Sequence, residues 1–251
     1  MAQEGAVRSV GRALGILSAF DSERSELGVG QIAGLLGVHT STASRLAATL
    51  AAGGFLERSR RDAFRLGPEM VRLGLLAAGE SLVESARDPM DELAARTGET
   101  VVLSVPSEDE AVDVAQVDTR YLVGGKSWVG RRLPLQATSD GKVFLAFGAA
   151  ALPDGTLERL SPRTIVDRDE LTAALAGVRA RGWASAVGEC EEGLNGVAAP
   201  VFARGDRCVA ALSVSGPAYR VPEESLAAVA DRCRAAAAAI SARLEAKGGN
   251  G

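Results

Sequence analysis

Apolar side chains recur at helical spacing through the first fifty residues. Val10, Ala13, Leu14, Leu17 and Phe20 fall on one stripe and predict a helix from Val7 to Phe20. Asp21 to Leu27 is polar and loop-like. GVGQIAGLLG then predicts a short helix burying Ile32, Ala33, Leu35 and Leu36, and Gly37 suits its C-terminus because glycine enters the left-handed region freely. Two residues later TSTASRLAATLAA predicts a third helix with the buried stripe Ala43, Leu46, Ala47 and Leu50, stopped by Gly53 and Gly54. Its opening turn holds hydroxyls and little to bury: Thr40, Ser41, Thr42 and Ser44, then Arg45. Thr40 or Ser41 can cap it by accepting from orphan backbone N–H groups. FLERS and FRLG alternate on either side of the polar tip RRDA, which predicts a two-stranded hairpin.

Helix, helix, tight turn, helix and hairpin within about sixty residues is the outline of a winged helix-turn-helix. That outline explains the hydroxyl-rich turn. The first turn of a recognition helix enters the major groove, where short side chains allow close approach and can bond phosphates or base edges. Thr40, Ser41, Thr42, Ser44 and Arg45 are the candidate contacts on the helix, and Arg58, Arg60 and Arg61 on the hairpin can follow the backbone or enter the minor groove. Capping alone would also account for the hydroxyls; the short preceding helix and the basic hairpin favour DNA.

The pattern changes along the second half. Pro68 suits a first helical position, and PEMVRLGLLAAGESLVESA predicts a connecting helix that is apolar on more than one side, with DPMDELAARTG a separate helix ending at Gly98. TVVLSV and VDVAQV read as strands, and TSDGKVFLAFG as a helix capped by Thr138 or Ser139. DRDELTAALAGVRARG reads as a helix burying Leu171, Leu175 and Val178, and NGVAAPVFA and CVAALSVSG as a hairpin. A last helix from about Pro222 to Lys247 buries Leu226, Val229, Cys233, Ala237, Ile240 and Leu244. Antiparallel strands with flanking helices make an α+β domain. Ser213 and Ser215, two apart on one strand, share a face and suggest a polar lining, although an exposed polar face would read the same way.

Composition narrows the chemistry. The net charge of −4 hides a split: residues 1–66 carry 8 Arg against 6 Asp and Glu, a balance of +2, while residues 67–251 carry 20 Lys and Arg against 26 Asp and Glu, a balance of −6. DNA affinity depends on the charge at the contact face, so the local excess matters more than the average. A single histidine, His39, rules out a multi-histidine metal centre and reads as a turn residue or a phosphate contact. Cys190, Cys208 and Cys233 lack CxxC spacing and read as free thiols rather than a disulfide framework or a zinc site. No apolar run reaches the roughly 18 residues of a membrane span, and MAQEGAVRSVGR has no signal-peptide core, so a soluble cytoplasmic protein is expected. The rival class is an enzyme with a helical accessory domain, using Cys190 beside Glu189, Glu191 and Glu192. Neighbouring carboxylates raise a thiol pKa, however, and no phosphate-cradling GxxxxGK[ST] loop is present. No catalytic residue, metal or cofactor is expected.

The motifs SVGRALGILSAF, IAGLLGV, STASRLAATLAAGGFLE and FRLG in the first half, with TGETVVLSV, PLQATSDGKVFLA, GWASAVGECEEGLNGVAAPVFA and ALSVSGP in the second, resemble the isocitrate-lyase-regulator (IclR) family of bacterial transcription regulators from Ser9 to about Leu244. The resemblance implies a winged helix-turn-helix over residues 1–67, a linker helix over 68–79 and a GAF-like effector-binding and oligomerisation domain over 80–251. It implies a palindromic double-stranded operator, a small-molecule effector, and a homodimer or dimer of dimers. Repression is the default expectation, since a dimer bound over a promoter blocks polymerase, although activation is equally allowed by these residues. Carried over by motif, the effector positions are Leu122, Gly125, Leu133, Ser139, Asp140, Glu189, Leu194, Gly196, Ser213 and Ser215. The chain departs from the family pattern at Asp140, usually a small residue, at Gln136, often His, and at Gly196, a cysteine in some members. Asp140 is read as facing outward, where it would stabilise a helix N-terminus. Facing inward, it would favour a ligand with amine or hydroxyl donors over a carboxylate.

Overall fold

A computed structural model of the chain describes residues 7–21, 24–60, 63–70, 73, 82–119, 121, 127–152, 154–203 and 206–248, with the backbone alone at Arg60, Lys247 and Gly248. It divides into two units, Met1–Glu80 and Ser81–Gly251. Residues 68–70 and Leu73 are helical; the rest of the expected linker helix lies outside the described residues.

The first unit contains α1 (Arg8–Leu17), β1 (Leu27–Gly28), α2 (Val29–Leu36), α3 (Thr40–Ala52), β2 (Leu56–Arg60) and β3 (Ala63–Leu66). Its core gathers Ile16, Phe20, Ile32, Ala43, Leu56 and Phe64. Burial on α1 is confined to its C-terminal end, so Val10 and Leu14 of the expected stripe lie exposed. Leu35 is exposed too, because the two-turn α2 buries only the side holding Ile32 and Ala33. Gly37 ends α2 with φ of 60°, as the motif predicts. The hairpin is wider than expected. Leu27 and Gly28, read as loop, pair with Phe64 and Ala63, giving an antiparallel sheet in the order β1-β3-β2.

The second unit runs α4 (Leu82–Thr97), β4 (Thr100–Ser107), β5 (Glu110–Val117), β6 (Arg132–Pro134), a 3₁₀ turn (Leu135–Ala137), α5 (Ser139–Ala146), α6 (Arg168–Arg181), β7 (Ala184–Val187), β8 (Leu194–Ala203), β9 (Arg207–Pro217) and, after a second 3₁₀ turn, α7 (Leu226–Gly248). The six strands form one antiparallel sheet, β6-β5-β4-β9-β8-β7. One face packs on α4 and α7 through Met90, Leu93, Val197, Leu212, Cys233 and Ile240. The other packs on α5 and α6 through Leu135, Phe144, Leu171, Ala198 and Ala211. Both faces of β8 and β9 are therefore covered, which is why they read as continuous apolar runs rather than alternating ones.

α4 passes straight through Pro89, where two helices were expected. A proline cannot donate to the carbonyl four residues back. That carbonyl, on Ser85, instead accepts from the Arg243 guanidinium at 3.2 Å, and Arg243 also holds Asp88 at 2.9 Å. The three cysteines are free, Cys208 and Cys233 buried and Cys190 half-buried. Among the described residues no helix is long and apolar enough to cross a membrane.

Candidate DNA-contact helix and ligand cavity

α3 turns Ala43 and Ala47 into the core of the first unit, which directs Ser41 and Arg45, one turn apart, outward. Thr40, Ser41 and Arg45 are exposed; Thr42 and Ser44 are half-buried. The cap is neither Thr40 nor Ser41. It is His39, whose Nδ1 accepts from the Ser41 amide at 3.3 Å and lies 2.9 Å from the Ser41 hydroxyl. An imidazole nitrogen can accept the same orphan N–H that a hydroxyl would, so Thr40 is not committed to capping. On the hairpin, Arg58 is exposed with its guanidinium 5.5 Å from the centre of the Phe64 ring. Arg65 is paired with Glu57 at 3.0 Å, which cancels part of the local positive charge. The side chain of Arg60 and all of Arg61 lie outside the described residues.

The second unit holds a cavity of about 60 Å³, open to solvent on one side, on the α5 side of the sheet. Gly141 seats the α5 wall. A Cβ there would stand 2.2 Å from the Leu135 carbonyl oxygen, so only glycine lets α5 start directly against the preceding 3₁₀ turn. Thr138 caps α5 by accepting from the Gly141 amide at 3.0 Å. At Gly196 a Cβ would lie 3.4 Å from the Ser139 hydroxyl, so its absence widens the cavity between α5 and β8.

Of the positions carried over by motif, the cavity brings together Leu133, Ser139, Asp140, Leu194, Gly196, Ser213 and Ser215. Leu122 and Gly125 lie outside the described residues. Glu189 is not in the lining. Its carboxylate is held by the Lys142 ammonium and accepts from the Val187 amide. Asp140 also departs from the expectation: it faces the cavity, and its Oδ1 is buried with no hydrogen-bond partner. Gln136 is buried and donates to the Glu158 carbonyl at 2.9 Å, outside the lining.

Sequence reasoning missed Asp113, Trp128 and Cys190, which share the lining with the residues above. The signal for Asp113 was present, an acidic residue between two valines in a strand otherwise poor in charge. It is buried on β5 and accepts from the Ser104 hydroxyl at 2.7 Å. A β-bulge between Leu103 and Ser104 shifts the register there and sets Ser104 opposite Asp113.

Burial, and then the charge of Asp140, push the Asp113 carboxyl up to about 7; the Ser104 hydroxyl and Arg131 pull less strongly the other way. Burial likewise raises Asp140 to about 6, against the Ser213 hydroxyl, its own backbone amide and the Ser104 hydroxyl. Burial, with Glu191 adding, raises the Cys190 thiol to about 11, so it stays protonated at neutral pH and is a poor nucleophile. Among the described residues no three His, Cys, Asp or Glu side chains are placed to hold a metal ion.

Comparison with known proteins places both units. Residues 9–60 match the IclR helix-turn-helix domain, and residues 76–242 match the bacterial transcriptional regulator IclR C-terminal domain. The chain is 33% identical over 245 residues to the HTH-type transcriptional regulator XynR of Escherichia coli, covering 95% of this chain and 97% of that one. It is 30% identical over 254 residues to the HTH-type transcriptional repressor AllR of Salmonella typhi, covering 97% and 92%. Among solved structures it is similar to an IclR homologue from Microbacterium hydrocarbonoxydans complexed with 4-hydroxybenzoate, with a TM-score of 0.80, 26% identity, and 94% of this chain and 98% of that chain covered.

Proposed function

The chain belongs to the IclR family of bacterial transcriptional regulators, and from that premise we propose that it is a repressor whose hold on DNA is set by a small molecule in the cavity of its second unit. It is a helix-turn-helix transcriptional regulator, not an enzyme; the protonated Cys190 thiol agrees with that.

One observation carries the reading: α3 presents Ser41 and Arg45 outward from its first turns, and the other unit holds a cavity lined by hydroxyls and carboxylates. Thr40, Ser41, Thr42, Ser44 and Arg45 meet the major groove, and the hairpin arginines Arg58, Arg60 and Arg61 track the backbone. Leu133, Ser139, Asp140, Leu194, Gly196, Ser213 and Ser215 hold the effector, with Asp113 added to them. A similar regulator crystallised with 4-hydroxybenzoate and a relative described as a repressor support this assignment. Residues 1–67 bind DNA, 68–79 link, and 80–251 bind effector and oligomerise. The protein works in the cytoplasm as a homodimer or dimer of dimers on a palindromic operator, whose half-site symmetry mirrors its own. An effector held better by one dimer arrangement than another changes the spacing of the two recognition helices.

The test is fluorescence anisotropy with the duplex upstream of its own gene against a scrambled duplex at fixed salt. Preference for the native duplex, relieved by a cavity ligand, is expected. No binding to either duplex at low salt would remove the DNA reading.

A further inference from the structure

Resting on the cavity as the effector site, we propose that the effector is an organic cation, a small molecule whose protonated amine sits between Asp113 and Asp140 while its apolar part lies against Val102, Leu133 and Leu194.

The two carboxyls come from different walls, β5 and the first turn of α5, and open on one cavity. Among the described residues neither forms an ion pair. Asp140 Oδ1 is closed to solvent and has no hydrogen-bond partner, so although Ser213, Ser104 and its own amide act on the carboxyl, one buried oxygen is left unmatched. A buried polar atom costs free energy until it is bonded, and a buried carboxylate most of all, so a cation entering here meets an unmet need.

The charged neighbours do not fill it. Lys142 is turned to Glu189, within 2.6 and 2.5 Å of its two oxygens, and to the Ser185 carbonyl. Arg131 lies over the Trp128 ring, 4.6 Å from its centre, and its charge reaches Asp113 without reversing the upward push of burial and of Asp140. Cys190 adds a neutral thiol. The remaining polar groups are the Trp128 indole, the Thr138 hydroxyl, which caps α5, and the hydroxyls of Ser139, Ser213 and Ser215, which can accept from an ammonium.

A carboxylate ligand would require both aspartates to be protonated and would take up protons on binding. A neutral polyol would leave the proton count nearly unchanged. An amine displaces the proton that the pair holds, so only the cation releases protons as it binds. A bare metal ion fits poorly, since the lining offers two carboxylates among apolar residues and hydroxyls rather than a ligand cage.

The experiment uses the full-length protein and a panel of small primary and secondary amines, each beside the alcohol and the carboxylate of the same skeleton. Tyramine, 2-(4-hydroxyphenyl)ethanol and 3-(4-hydroxyphenyl)propanoate form one such set. Thermal shift at pH 7.5 finds binders, calorimetry at pH 6 in two buffers of different ionisation enthalpy counts protons, and anisotropy on the operator reads DNA affinity. Amines are expected to stabilise the protein more than their partners and to release protons. Their affinity should climb about tenfold per pH unit between pH 6 and 7, more steeply below pH 6 where both carboxyls are protonated, and level off above pH 7. Asp113→Asn and Asp140→Asn should each weaken amine binding about tenfold or more while leaving the protein folded, as its own unfolding transition will show. Stabilisation by carboxylates in preference to amines, no amine that stabilises, or amine binding indifferent to both variants would overturn the proposal. Carboxylates or alcohols that move operator affinity would sink the cation and keep the effector site. Amines that bind and leave operator affinity unchanged would keep the cation and sink the effector reading.

Discussion

The Lys142 ammonium lies 2.5 Å from one oxygen of Glu189 and 2.6 Å from the other, and donates a third bond to the Ser185 carbonyl at 3.1 Å. Their side chains are only 4% and 10% exposed. Burial pulls the Lys142 pKa down and Glu189 pushes it back up, so the ammonium depends on its partner. The pair ties α5 to the segment around β7, and α5 carries Ser139 and Asp140. Glu189 therefore supports the cavity wall without lining it.

Breaking that pair is expected to cost more than removing it. Lys142→Met leaves a buried carboxylate without its cation and should destabilise the second unit by about 3–5 kcal/mol, whereas Lys142→Met with Glu189→Leu should recover most of the loss. Urea unfolding of the three proteins reads this directly. A single variant within about 1 kcal/mol of the parent would show that the pair contributes little.

The raised carboxyls of Asp113 and Asp140 make stability depend on pH. Their folded values, about 7 and about 6, lie above the 3.8 of an unfolded chain, so the folded state binds more protons across that interval. The favourable contribution is fully present below about pH 4 and is lost as pH rises through 6 and 7. The ligand-free second unit should therefore be less stable at pH 8 than at pH 5, by on the order of 4 kcal/mol from this pair. Asp140→Asn should flatten the profile and raise stability at pH 8. Denaturation midpoints across pH 5–8 check it, and a variant that keeps the full slope would remove the pair as its cause.

Gly141 is expected to tolerate no side chain. Its missing Cβ would stand 2.2 Å from the Leu135 carbonyl oxygen and 2.3 Å from the Leu135 Cα, both backbone atoms that cannot swing away. Gly141→Ala should push α5 off the 3₁₀ turn and cost about 3 kcal/mol, the upper end of what overpacking does. Gly177 is the control, because a Cβ there meets nothing within 4 Å and alanine favours a helix interior. Equal melting temperatures for Gly141→Ala and Gly177→Ala would show that the turn yields.

Much of this was legible in the chain. The 3.6-residue stripes of α3 and α6 and the glycine stop after α2 gave those elements directly, because local propensity and burial agree there. β1 was not legible, since two residues carry no period and Leu27 becomes a strand only by pairing with Phe64. The cap of α3 was missed because histidine is an uncommon capping residue. In the cavity, Ser213 and Ser215 could be paired by their spacing of two. Asp113 and Asp140 could not, because only sheet packing, with a bulge at Ser104, carries β5 to the N-terminus of α5.

Arg45 offers the sharpest test of the other unit. It is exposed on α3, one turn beyond Ser41, while Ala43 and Ala47 on the opposite side hold the helix to the core. Arg45→Ala should therefore leave the melting temperature within about 1 °C, as exposed substitutions usually do. Its effect on DNA depends on what the guanidinium meets. On a guanine edge, the variant should lose about 1–3 kcal/mol on the operator and little on a random duplex. On a phosphate, both duplexes should weaken together, and the slope of log affinity against log salt should become shallower by about one. Anisotropy on the two duplexes over a salt series separates these outcomes. Unchanged binding to both would mean that α3 does not read the groove, and the recognition element would have to be sought on the hairpin around Arg58.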